Sequence, residues 1–212
     1  MPLFQDPYSQ QEFINAESLL KFDGVDDSVN FGNVTLNDAA DFTIELIISL
    51  DALIASSNAI LEKSSGNNKV SIVYNTVRNQ IRFNLRDGSG NFQQIEINPT
   101  LGDLFHIFFT YDSATSVFEI RSHYGTVSET YTQGDFGNSG DLVLGANTAQ
   151  NATFLKGAIA IFRLYNKSLT LSEERQIRNN PYAIPSDLHE NVIAEHLPQR
   201  NYFKDVADIY GK

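Results

Sequence analysis

Short runs of alternating apolar and polar residues, each closed by a turn rich in Gly, Asn or Asp, recur along nearly the whole chain and constrain its fold more than any other feature. Phe42 to Ser49 is the clearest run. Phe42, Ile44, Leu46 and Ile48 fall on one face, and Thr43, Glu45 and Ser49 on the other, which is the period of a half-buried strand. Only Ile47 breaks the alternation. Further runs stand near residues 19–23, 28–31, 60–63, 70–75, 80–86, 92–97, 104–111, 116–122, 126–131 and 141–145, with Asp87 to Asn91 as a hairpin turn. So many short strands with one late helix predict an all-β fold: a two-sheet antiparallel sandwich of jelly-roll type.

The late helix is legible in detail. Ala158 to Tyr165 reads as a buried strand, and Asn166-Lys167 supplies the turn after it. Thr170-Leu171-Ser172-Glu173 fits a capping box, with the Thr170 hydroxyl accepting from the Glu173 amide and the Glu173 carboxylate reaching back to the Thr170 amide. A helix of about two turns, near 171–178, follows and stops ahead of Pro181.

A chain of 212 residues suits one sandwich with extensions. The division expected is an N-terminal arm at 1–16, the domain at 17–180, and a C-terminal extension at 181–212 that adds an edge strand or serves assembly. Within that extension, 191–197 reads as a strand or a short helix, and 205–212 resembles the strand-to-loop entry of such a domain. Net charge is −11, which argues against nucleic acid or an anionic bilayer as partner, since both would repel the chain. The absence of cysteine excludes disulfides and thiolate metal sites. No basic-then-apolar leader opens the sequence and no run is long enough to span a bilayer, which predicts a soluble chain without membrane insertion. Asn-X-Ser/Thr triplets at Asn33, Asn151 and Asn166 are read as chance in an Asn-rich chain.

Five segments, LKFDGVDDSVNFG (20–32), FTIEL (42–46), DLFHIFFTYD (103–112), LVLGA (142–146) and FLKGAIAIFRLYNKSLTLSEE (154–174), together resemble the laminin G-like and concanavalin A-like family of jelly-roll domains. The resemblance runs from about Leu19 to Asn179. It implies a concanavalin A-like sandwich and leaves function open, because that fold hosts adhesion, lectin, hormone-binding and virion-surface modules. Ile47 and Leu104 stand where the family commonly has tryptophan, and Ala160 where an acidic residue is common.

Candidate sites follow from side-chain chemistry. Asp23, Asp26 and Asp27 cluster on one turn and are the candidates for calcium, a cation that takes carboxylate and carbonyl oxygens. The competing reading is that they cap their own turn amides. With no tryptophan in the chain, Tyr74, Tyr124 and Tyr131 are the candidate sugar-stacking rings. His106 is read as a packed, hydrogen-bonded strand residue. The strand carboxylates Glu45, Glu96 and Glu119 are isolated and read as solvated, and no catalytic motif occurs, so no enzyme activity is expected.

The function expected is a non-catalytic interaction or adhesion module. The first setting is a phage virion surface, as a head or tail decoration or fibre protein that assembles in multiple copies and binds virion proteins or the host surface. The alternative is a calcium-assisted carbohydrate-binding or adhesion domain of a secreted bacterial protein, with an extracellular location and glycans as partners.

Overall fold

The computed structural model describes residues 19–51, 57–151 and 153–196. The N-terminal arm and the 205–212 segment lie outside these residues.

Thirteen strands and one α-helix occupy the described chain. The strands are β1 (Leu20–Asp23), β2 (Val29–Asn30), β3 (Phe42–Leu50), β4 (Ser57–Ser65), β5 (Asn68–Asn75), β6 (Gln80–Arg86), β7 (Phe92–Ile97), β8 (Leu104–Asp112), β9 (Val117–Ser122), β10 (Gly125–Thr130), β11 (Leu142–Leu144), β12 (Lys156–Tyr165) and β13 (Val192–His196). They form two antiparallel sheets. Sheet A has the order β1-β12-β3-β8-β9-β10, with β13 also paired to β12, and sheet B has the order β2-β11-β4-β5-β6-β7. β1 and β13 share one edge of β12: β1 pairs with its start and β13 with its end. Residues 192–196 thus form an edge strand of their own sandwich.

Between the sheets lies the main core. Phe42, Ile44, Leu46 and Ile48 of β3 face Val70, Ile72, Phe83 and Leu85 of β5 and β6, all buried. The alternation seen in the sequence is therefore the division between core and outer face, and each such side chain contributes about 1.5–3 kcal/mol by leaving water. Phe42, Phe83, Phe118, Tyr131 and Phe136 meet edge to face, with centroids 5.4–6.3 Å apart.

Helix α1 (Leu171–Asn179) starts at a complete capping box: Glu173 N donates to Thr170 Oγ1 at 3.3 Å, and Thr170 N to Glu173 Oε2 at 2.7 Å. It lies across the outer face of sheet A. Ile177 joins Phe108, Tyr165, Leu169 and Leu188 in a second apolar cluster, and the Arg178 guanidinium sits 4.7 Å above the Phe108 ring. Arg178 also donates to the carbonyls of His106 and Arg121. The chain beyond the helix continues over the same face, through Tyr182 and a 3-10 turn at Ser186–Asn191. This explains Ile47, which points outward yet is buried with Ala160 and Ile161 against Leu104 and Tyr182. No helix of the described residues is long and apolar enough to cross a membrane.

Candidate functional site

The two outer faces of the sandwich differ. That of sheet A is sealed by α1 and residues 181–191, and beneath the seal lies an ionic network. Glu45 on β3, paired in register with Arg163 of β12, accepts from Arg163 Nη1 at 3.0 and 3.2 Å and from the Tyr165 hydroxyl at 2.7 Å. His106 Nε2 lies 2.8 Å from Glu45 Oε1. Arg163 continues outward, donating from Nε to Glu195 of β13 at 2.6 Å and from Nη2 to the Pro181 carbonyl at 2.7 Å. Glu45 and Arg163 are both 0% exposed.

Glu45 is therefore not the solvated strand carboxylate that its sequence position suggests. Burial alone would raise its carboxyl, but the His106 hydrogen bond and the Arg163 charge outweigh burial and hold it at about 2. Burial lowers His106, partly opposed by Glu45, and keeps the ring neutral. An ionised carboxylate can only accept, so His106 Nε2 carries the proton. Burial also pushes the Tyr165 hydroxyl up, and the Glu45 charge adds to it. Every group is matched, and the network ties β13 and Pro181 to the sheet.

Among the described elements no helix or strand packs over the outer face of sheet B. Residues at every second position of β6, namely Gln80, Arg82, Asn84 and Arg86, point outward and pair with Asn75, Val73, Ser71 and Lys69 of β5. On the other side Arg82 pairs with Glu96, Asn84 with Gln94 and Arg86 with Phe92 of β7. Phe92 is 61% exposed and is the aromatic ring among the exposed large apolar side chains of the described residues. Glu62 of β4 accepts from Lys69 at 3.0 Å and from Thr148, whose loop lies over the β4 end. Glu96 accepts from Gln80 at 2.6 Å and Gln94 at 3.3 Å, with Arg82 Nε 3.4 Å away. The result is an open face of amides, guanidinium groups and one apolar ring, able to hydrogen-bond a polyhydroxylated ligand and stack on its apolar side.

The three candidate tyrosines do not share this face. Tyr74 is 1% exposed inside the core, its hydroxyl bonded to Asn79, and Tyr131 is 5% exposed, its hydroxyl bonded to the Gly134 carbonyl. Rings enclosed in this way have no face to offer a sugar. Tyr124 lies against Phe105 at the sheet A rim and accepts from the Thr100 amide. The sequence signal for the open face was the polar alternation of β6, followed by Phe92, Gln94 and Glu96 at spacing two.

Asp23, Asp26 and Asp27 do converge. One oxygen from each lies within 4.8 Å of the others, a span that ligand distances of about 2.3–2.6 Å to calcium accommodate. Asp23 Oδ1 also accepts from the Val25 amide and Asp27 Oδ2 from the Asp23 amide, so two of the carboxylates cap their own turn. Asp87 likewise caps the hairpin, accepting from the Asn91 amide and side chain.

Fold and site together define a two-sheet jelly roll with one sealed and one open face, the architecture of lectin-like domains. The chain belongs to the concanavalin A-like lectin/glucanase superfamily, whose family model matches residues 23–173. No curated protein matches it in sequence. Among solved structures it is similar to the NanB sialidase of Streptococcus pneumoniae (18% identity, TM-score 0.56, covering 74% of this chain and 27% of that one). It is also similar to the binding domain of botulinum neurotoxin serotype D (14%, TM-score 0.62, 77% and 42%) and to an SAP-like pentraxin of Limulus polyphemus (12%, TM-score 0.57, 86% and 94%). The chain spans about a quarter of the sialidase and under half of the neurotoxin domain. At these identities the likeness is one of fold.

Proposed function

We propose that the chain is a non-catalytic binding module that holds a cell-surface glycan on the outer face of sheet B. The observation that carries this reading is the open polar face with exposed Phe92 beside Arg86, Asn84 and Gln94, on a sandwich whose opposite face is sealed. Membership of a lectin-containing superfamily supports it, as does likeness to a neurotoxin binding domain. The placement of carboxylates supports a non-catalytic role. Glu62 and Glu96 stand on strands three spacings apart, roughly 14 Å at about 4.8 Å each, beyond the ~5–9.5 Å that paired glycosidase carboxylates need. Each is also turned to a cation.

Either setting, a virion surface or a secreted protein, presents such a face to other cells. Calcium belongs to this proposal at the Asp23, Asp26 and Asp27 turn, where it would brace the loop joining β1 and β2. The test is retention of the protein on bacterial surface polysaccharides and simple glycans, with calcium and with chelator. Saturable binding that weakens about tenfold in Phe92→Ala is expected, from loss of stacking and apolar contact. No retention on any glycan, or full retention by Phe92→Ala, would remove the reading. Loss of binding with chelator would add the Asp23 to Asp27 turn to the site, and indifference to chelator would exclude it.

A further inference from the structure

We infer that the saccharide taken by the open face is an acidic one, its carboxylate seated on Arg86 and its apolar ring side against Phe92; this rests on the glycan-binding reading above. On a chain of net charge −11 an uncompensated cation at the hairpin end of a polar face stands out electrostatically. Three cations project from this face. Lys69 is paired with Glu62 at 3.0 Å, and Arg82 with Glu96 at 3.4 Å. Arg86 pairs with no carboxylate among the described residues.

The surroundings of Arg86 leave its bonding capacity unfilled. Its Nη2 donates to Asn67 Oδ1 at 3.5 Å, the outer limit of a hydrogen bond, and its Nε is shielded from water with no acceptor. The nearest turn carboxylate, Asp87, is occupied by Asn91 and the Gly134 amide. Gly90, held at φ +89, lies close against the guanidinium, where an added Cβ would come within 3.2 Å of Nη2. Turned away from Asn67, the guanidinium can offer two parallel N–H donors, the fork that a carboxylate fits. Phe92 is the direct cross-strand partner of Arg86, with Cβ atoms roughly 5 Å apart, so one sugar ring reaches both. Asn84 and Gln94, one row along, can serve its hydroxyls.

The experiment is calorimetric titration with two matched pairs: oligogalacturonate against its methyl ester, and sialyllactose against lactose. A preference of about ten- to hundredfold for the acid member of at least one pair is expected, the scale of one charge-assisted contact, and it should weaken with added salt. The two pairs distinguish a uronic from a sialic acid. Arg86→Gln should abolish the preference, and Arg86→Lys should restore part of it, through charge without the fork. Equal affinity for acid and neutral members, a preference that survives Arg86→Gln, or no binding of either acid would each overturn this assignment. The glycan reading itself falls only if the broader panel also shows no binding.

Discussion

Replacing Arg163 by Met tests the sealed network directly, because methionine keeps much of the apolar volume of the arginine stem and none of its charge. Arg163 supplies the cation facing Glu45 at 3.0 Å, and both side chains are fully buried. His106 is held low by burial in the parent, so the balancing charge there comes from Arg163. The variant therefore leaves a buried carboxylate uncompensated, a loss of roughly 3–5 kcal/mol near neutral pH. Without Arg163 less opposes burial, so the folded-state value of Glu45 moves up from about 2 and the variant takes up a proton there at a higher pH than the parent, which favours its folded state on acidification. The gap between variant and parent should accordingly narrow from about pH 7 to about pH 4.5, where the parent's Glu45, at about 2, is still ionised. Urea unfolding followed by far-ultraviolet circular dichroism at both pH values measures the gap. A loss below about 1 kcal/mol, or one equal at the two pH values, would refute the charge balance described here. Faster hydrogen exchange in β13 should accompany the loss, since Arg163 also holds Glu195 and Pro181.

The parent protein should lose thermal stability on acidification. His106 and Glu45 are both lowered in the folded state, so their contributions are present above the unfolded values and fall away below 6.5 and then from 4.5 toward about 2; a melting temperature that rises over this range would contradict the assignment. Thr170→Ala should cost about 1 kcal/mol, or about 2–4 °C in melting temperature, by opening the capping box, and an unchanged melt would mean that α1 does not depend on its cap. Gly145→Ala should cost more, about 1–3 kcal/mol, because φ is +85 and the added Cβ would run into the Phe22 ring; wild-type stability would show that this strand end has room to shift.

Local chemistry was the legible part. The capping box needs only Thr170 and Glu173, and helix α1 begins where those residues place it. The core face of β3 follows from its period of two, and the turn at Asp23 to Asp27 from the amide-capping habit of aspartate. The candidate site was less legible. Tyr74 and Tyr131 carry the same side chain that would serve a groove, and nothing local distinguishes an enclosed ring from an exposed one. Phe92, an apolar residue opening a strand, looks from sequence like another core position.

Alternation alone determined that this chain forms two-faced strands and hence a sandwich, because side-chain direction in a strand depends only on residue parity. Which face is covered was decided by tertiary structure. Glu45, His106 and Arg163 are lone residues on three strands, 61 and 118 positions apart from Glu45, and they become one buried network only when α1 and the chain to Asn191 close over sheet A. Gln80 to Arg86 has the same alternation as β3, yet no helix or strand of the described residues covers its outer side, and its polar row stays uncovered by them. Burial is a property of what lies above a strand, and that partner comes from distant parts of the chain.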